Sequence, residues 1–363
     1  MEIKNFSLFI LLIFFSCHIN EVGREGVKER VGSDTLIFLN PITSDIFGKS
    51  YPCGGGQGLF LGKNDFYECR ILLNFSLDTS FKNSEEIKLI LYPKYYSSIT
   101  FKVYPIILEW NENEVTWRLA SSFVRWINYG GDYYELLLGE GETKEDSTVI
   151  ELNPHNFDTL FKINYGVILI PQNKTEKFIS FYSRTEIKPP KLYLRKNNRD
   201  TIFNLTANAY IVDTLFKVPE NYFVIGSGYP FFSYLKFDLN NLSKETNIIN
   251  ADLFLYPETE SSYFPLDSNE IVILKLTSDY LINREKASYE IYKRTLILRR
   301  DTIIKIDIKS LINFWKEKPD SNFGLFLSLY PFNSYPRFLL IKKEDKKMPR
   351  IEIFYFLKPK ERL

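Results

Sequence analysis

Arg70-Ile-Leu-Leu-Asn-Phe-Ser-Leu77 followed by Ile87-Lys-Leu-Ile-Leu-Tyr-Pro93 recurs later in the chain as Leu235-Lys-Phe-Asp-Leu239 and Ile249-Asn-Ala-Asp-Leu-Phe-Leu-Tyr-Pro257. Phe75 aligns with Phe237 at an offset of 162 residues, and Tyr92 with Tyr256 at 164. Other landmarks keep the same order: Asp34-Thr35 with Asp200-Thr201 (166), Gly62 with Gly226 (164), Asn164-Tyr165-Gly166 with Asn322-Phe323-Gly324 (158) and Pro190 with Pro349 (159). A solenoid repeat runs about 20–50 residues, so a period this long predicts tandem domains.

Within each copy the residues alternate apolar and polar, as in Leu89-Ile-Leu-Tyr92, Phe101-Lys-Val-Tyr104 and Ile304-Lys-Ile-Asp-Ile308. Period two with Ile, Phe, Tyr and Val, punctuated by Asn, Asp, Gly and Pro, predicts short strands. Two stretches read as helix: Ser121 to Trp126, and Ile308 to Trp315 with Ile308, Leu311, Ile312 and Trp315 at helix-face spacing. The expectation is an all-β chain of two tandem antiparallel β-sandwich, jelly-roll-like domains. Their predicted bounds are 34–196 and 197–357, joined at the polar Lys196-Asn197-Asn198-Arg199, with a tail at 358–363.

The 363 residues carry 46 Lys+Arg against 45 Asp+Glu, a balance without the clustered basic charge of a nucleic-acid binder. Two histidines argue against His-based metal or catalytic centres, and 45% hydrophobic residues exclude a disordered chain.

Phe6 to Phe15 is apolar except for Ser7, too short to span a bilayer and the size of a signal-peptide core. Ser16-Cys17 then resembles a bacterial lipoprotein signal, with 1–17 as signal peptide and Cys17 as the lipidated residue; an ordinary export signal cleaved nearby is the alternative. The polar stretch 18–33 reads as a tether. Export leaves Cys53 and Cys69, which predict a disulfide, with two free buried thiols as the other reading. This places the protein at the bacterial envelope or surface, held to the membrane through its N-terminal lipid.

Trp110-Asn-Glu-Asn-Glu-Val-Thr-Trp117 follows the strand-like Phe101 to Ile107 and precedes Gly130-Gly-Asp-Tyr133. With the Arg70-to-Leu77 and Ile87-to-Pro93 segments and Asn164-to-Ile170, Ser180-to-Ser183 and Pro190-to-Tyr193, this resembles the DNRLRE domains of bacterial surface and secreted proteins. Those are β-sandwich modules related to a group of alginate-associated carbohydrate-binding modules. The resemblance covers roughly residues 34–195. The second copy lacks the Trp stretch and has the charged, featureless Ser278 to Glu290 in its place. It is expected to keep the scaffold and to have lost the site.

Flat aromatic rings stack on the apolar faces of sugars, and Trp110, Trp117, Arg118, Trp126 and Tyr133 are the candidate platform; the competing reading is that the tryptophans are core plugs. Glu112 and Glu114 share one face of an extended segment, the pairing a glycosidase needs, although solvated acids in a turn are commoner. Gly54-Gly-Gly-Gln-Gly58 is not followed by the Lys-Ser/Thr of a phosphate loop, and His155 sits alone in loop-like text. No cofactor is implied beyond a structural calcium, for which Asp132 and Asp146 are weak candidates. The expected function is non-catalytic binding of polysaccharide or an envelope glycan. The alternative is a structural or adhesive lipoprotein that binds proteins or acts as a spacer, with an enzyme a distant third.

Overall fold

The structure, a computed structural model, describes residues 34–357 apart from Gln57, Glu285 and Asp345. The signal peptide, Cys17, the tether and the tail therefore lie outside the described residues. Among these residues the chain is all-β, built from antiparallel sheets with two short α-helices.

The two halves of the sequence carry equivalent ladders. Val167 faces Leu73 where Leu325 faces Leu235, and Leu192 faces Leu89 where Ile351 faces Leu253. Thr148 opposite Leu91 matches Ile304 opposite Leu255, and Ile179 opposite Leu61 matches Leu339 opposite Ile225. The repeated Asn-x-Gly has a local cause. Gly166 and Gly324 have φ of 87° and 90°, and a Cβ there would lie 2.1 Å from the Leu73 carbonyl oxygen and 2.7 Å from that of Leu235. Asn164 and Asn322 donate through Nδ2 to the carbonyls of Phe75 (3.1 Å) and Phe237 (2.9 Å), tying each turn to the strand beside it.

The ladders do not separate at 196/197. Strand Asp34–Leu39 pairs with Arg350–Leu357, and Pro41–Gly48 pairs with Phe231–Phe237, so the first strands of the chain complete sheets of the second half. Reciprocally, Arg199–Thr214 pairs with Lys191–Lys196 by its first residues and with Tyr67–Phe75 by the rest. The stretch read as a linker is a tight hairpin: Asn197 and Asn198 have φ of 49° and 59°. Both central residues of such a turn need positive φ, which Asn tolerates better than most side chains. Leu205 opposite Phe75 corresponds to Pro41 opposite Phe237, an offset of 164 that moves the Asp34/Asp200 alignment by two residues. Because side chains alternate with period two, that slip preserves which face each residue occupies.

Each core lies between two layers. Ile71, Leu73, Val103 and Leu169 pack with Leu89, Leu91, Leu192 and Leu194 in one; Leu235, Ile273 and Leu327 pack with Leu253, Ile306 and Ile353 in the other. Helix Lys309–Glu317 adds Leu311, Ile312 and Trp315 to the second core, as its spacing predicts. Ser121 to Trp126 is not a helix: strands Leu119–Ser121 and Val124–Arg125 form a small ladder, and Phe123 at its tip is 97% exposed, so the segment has no apolar helical face to bury. An aromatic seam joins the halves. Phe216 stacks on Phe338 at 4.1 Å, and Phe66 and Tyr67 contact both Phe338 and Tyr263.

Because each half supplies a strand to the other's sheets, fragments 34–196 and 197–357 should each fail to fold alone and should recover structure when mixed. Circular dichroism melts of the separate and mixed fragments check this; a cooperative melt from 34–196 by itself would contradict it.

Candidate functional site

The Trp stretch lies on the outward face of the sheet containing Tyr67–Phe75 and is packed down onto it. Leu72, Ile168 and Ile211 are buried beneath Val115, Trp117, Ala120 and Trp126. Trp126 is 2% exposed and its Nε1–H donates to the Thr116 carbonyl at 3.0 Å. The half-buried Trp110 donates to the carbonyl of Tyr165 at 2.8 Å. Trp117 is 7% exposed and lies under the Arg70 guanidinium, 4.7 Å from the ring centre. Gly130 has no room for a side chain there, since a Cβ would sit 2.7 Å from Trp117. Tyr133 is half-buried against Tyr104, ring centres 5.0 Å apart, and Arg118 alone of the five candidates is exposed. Trp110 and Trp126 are thus packed with their indole N–H groups satisfied, and Trp117 is buried beneath Arg70.

The acids of this region are also committed. Glu112 Oε1 accepts from the backbone N–H of Asn208 (3.0 Å) and Oε2 pairs with Arg184 (2.7 Å), while Glu114 accepts from the Ser122 N–H (2.8 Å). The two therefore secure separate loop contacts rather than facing one reacting bond. Buried Asp132 accepts from the N–H groups of Ile127 and Asn128, both at 2.7 Å, which holds its turn. His155 is exposed in the short helix Pro154–Phe157.

The expected Cys53–Cys69 disulfide is corrected: both cysteines are free and buried. Cys53 donates weakly to the Tyr51 carbonyl at 3.3 Å, and burial pushes its thiol up to about 12 and that of Cys69 upward as well. They act as small apolar residues of the core.

In the second half the same sheet face is built differently. By the ladder correspondence Leu72 becomes Tyr234, Ile168 becomes Phe326, Ile211 becomes Phe47 and Arg70 becomes Phe232. Where residues 106–138 seal the first copy, only 277–288 link strands Ser268–Leu276 and Tyr289–Leu298. Tyr280 from that short segment folds inward and is fully buried. It stacks on Phe47 (5.5 Å, 23°), meets Phe326 edge-on (5.1 Å, 87°), and its hydroxyl donates to Asp45 at 2.9 Å. Burial, with Asp45 beside it, raises the pKa of the Tyr280 hydroxyl and keeps it protonated.

What remains uncovered is a cavity of about 530 Å³ with an aromatic floor and wall of Phe47, Tyr51, Phe232, Tyr280, Tyr289 and Phe326. Tyr289 is 41% exposed, and Lys49 and Arg284 stand at the rim, Arg284 paired with Asp45 at 3.1 Å. Flat rings, a phenol and two cations can bind a ligand with an apolar face and polar edges. Sequence reading missed this pocket because its covering segment is charged and irregular. The available signal was the pair Phe232 and Tyr234, which share a face of one strand with Phe47 and Phe326 of its neighbours.

If the tryptophans are plugs, Trp117→Ala and Trp126→Ala should each cost about 3–5 kcal/mol of stability in denaturant melts. Burial raises the Glu68 carboxyl, but Arg70 (2.7 Å) and Lys63 (2.6 Å) outweigh it and hold its pKa below the ordinary value. That contribution is present at neutral pH and is lost as pH falls through the lowered pKa, so Glu68→Gln should flatten the acid side of the stability profile. No family model matches the chain, and no curated protein matches it as a relative.

Proposed function

We propose that the protein is a non-catalytic binding protein for polysaccharide or cell-envelope glycan, with the aromatic pocket of the second half as its site. One observation carries this reading. The sheet face that the Trp stretch seals in the first copy is bordered by a cavity in the second, and its aliphatic residues are replaced there by rings. Sugar rings present C–H faces to the half-buried Phe47 and Tyr51 and the exposed Tyr289, while Arg284 and Lys49 reach their hydroxyls. The resemblance of the first copy to DNRLRE domains supports the same ligand class. Under this reading the protein is exported and tethered at the envelope through Cys17.

A second reading, a protein-binding or spacer lipoprotein, is favoured by the aromatic seam, which packs residues of both halves into one core. Glycan-array binding by the mature chain separates the two. Tyr289→Ala and Arg284→Ala should weaken glycan binding at least about tenfold with the melt unchanged, since a stacked ring or a charged hydrogen bond is worth about 1–3 kcal/mol. Arg118→Ala, on the first copy, should leave binding intact. A folded protein that retains no glycan overturns the proposal and favours the spacer.

A further inference from the structure

The segment that seals the first copy carries an apolar surface of its own, turned away from the sheet it covers. Strands Leu119–Ser121 and Val124–Arg125 form a hairpin with Ser122 and Phe123 at its tip. Trp126 is buried over the sheet, while Phe123 is 97% exposed and Ile127, the residue after Trp126, is 84% exposed. Val124, Tyr129 and Tyr134 are exposed beside them. Single exposed apolar residues are ordinary on a protein surface, but three within five positions, flanked by tyrosines, make a patch.

The backbone beneath this patch is pinned. Glu114 accepts from the Ser122 N–H at 2.8 Å, and the Trp126 backbone N–H donates to the Arg118 carbonyl at 3.2 Å. The Asp132 carboxylate holds the N–H groups of Ile127 and Asn128. These bonds fix the chain whose side chains then stand in water, so the exposure is built into the turn. The second copy repeats it: Leu281 and Ile282, the latter 84% exposed, follow the buried Tyr280 as Ile127 follows Trp126.

The charge at the hairpin is one-sided. Residues 117–130 contain Arg118 and Arg125 and no Asp or Glu. Both arginines are exposed, Arg118 lies 5.6 Å from the Tyr129 ring centre, and neither is ion-paired among the described residues. The neighbouring acids are committed, Glu112 to Arg184 and Glu114 and Asp132 to backbone N–H groups. In the second copy the corresponding guanidinium, Arg284, is taken up by Asp45.

We propose that the hairpin of the first copy docks on an anionic lipid bilayer. Phe123, Val124 and Ile127 enter the acyl boundary, Tyr129 and Tyr134 lie at headgroup depth, and Arg118 and Arg125 meet lipid phosphates. A protruding apolar tip flanked by cations suits a fluid layer that closes around it, whereas a protein partner needs a socket of matching shape. The contact is separate from the lipid expected on Cys17 and shares no residue with the aromatic pocket.

The test uses the full chain with Cys17→Ser, so that no lipid is attached, and with Phe123→Trp as a depth probe. The membranes are phosphatidylcholine vesicles with or without phosphatidylglycerol, their acyl chains brominated to quench tryptophan on contact. Read against the parent chain, Trp fluorescence from Phe123→Trp should be quenched by the phosphatidylglycerol vesicles. Ile303→Trp, at another exposed apolar site, should not respond. Adding Ile127→Ser to the probe variant should raise the lipid concentration at half-quenching about tenfold. Arg118→Ala with Arg125→Ala should also raise it about tenfold and remove the preference for phosphatidylglycerol. Circular dichroism melts should stay unchanged, since all these side chains are exposed. No quenching at 123, equal quenching at 303, an equal response to both vesicles, or a midpoint unmoved by the substitutions overturns the proposal. The apolar stretch 6–15 is common to every variant, and glycan binding at the aromatic pocket enters none of these readouts.

Discussion

The structure depends on a reciprocal loan of strands. Arg199–Thr214 belongs by sequence to the second copy and by hydrogen bonding to the first, while Asp34–Gly48 does the opposite. A sheet edge in the middle of a half-buried ladder leaves rows of N–H and C=O groups unmet, so neither half is complete without the other's strand. Each lent segment also passes between layers, one through the register shift at Leu205/Ala207 and the other through the break at Asn40 before Pro41. Pro41 sits where it can do this, because its partner strand shifts register at Lys236/Phe237 and no ladder N–H is needed there.

Side-chain packing follows from the exchange. Strands that cross between halves bring Phe66, Tyr67 and Phe216 against Tyr263 and Phe338. Arg337, only 3% exposed, is buried beside this seam with neutral partners: Asn269, the Ser334 hydroxyl (2.7 Å) and the carbonyls of Tyr335 (2.7 Å) and Tyr330 (3.3 Å). Desolvation lowers its pKa to about 10, still far above neutral, so the seam holds a charge compensated, among the described residues, by dipoles.

Much of the fold was legible because period two and a long repeat are global signals that survive local irregularity. The strand partners of Phe75, Leu89 and Asn164 recur opposite Phe237, Leu253 and Asn322, as the alignment of landmarks requires. The exchange was not legible, since a repeat alignment fixes which residues are alike and not which copy they bond to. Asn197-Asn198 reads equally as a linker or as a hairpin; only the positive φ of both decides. The burial of the tryptophans was hidden for a related reason. Tryptophan in a polar stretch attracts a binding interpretation, yet Trp117 and Trp126 cover aliphatic surface, while the aromatic cavity lies beside a shortened segment. Absence of a lid leaves no motif behind. Likewise Cys53 and Cys69 satisfy the count for a bridge yet are free thiols buried in the core.

The pairing of Asp34 with Phe356 carries one more implication. Arg350–Leu357 meets Asp34–Leu39 in the arrangement that Lys191–Lys196 and Arg199–Thr214 adopt around Asn197-Asn198, with the connecting turn as the difference. The described polypeptide is thus a two-unit ring opened at one of two similar corners. Bridging 357 to 34 and cutting between Asn197 and Asn198 would yield a circularly permuted molecule with the same neighbours throughout. In that ring the two corners are interchangeable places for the ends of the chain.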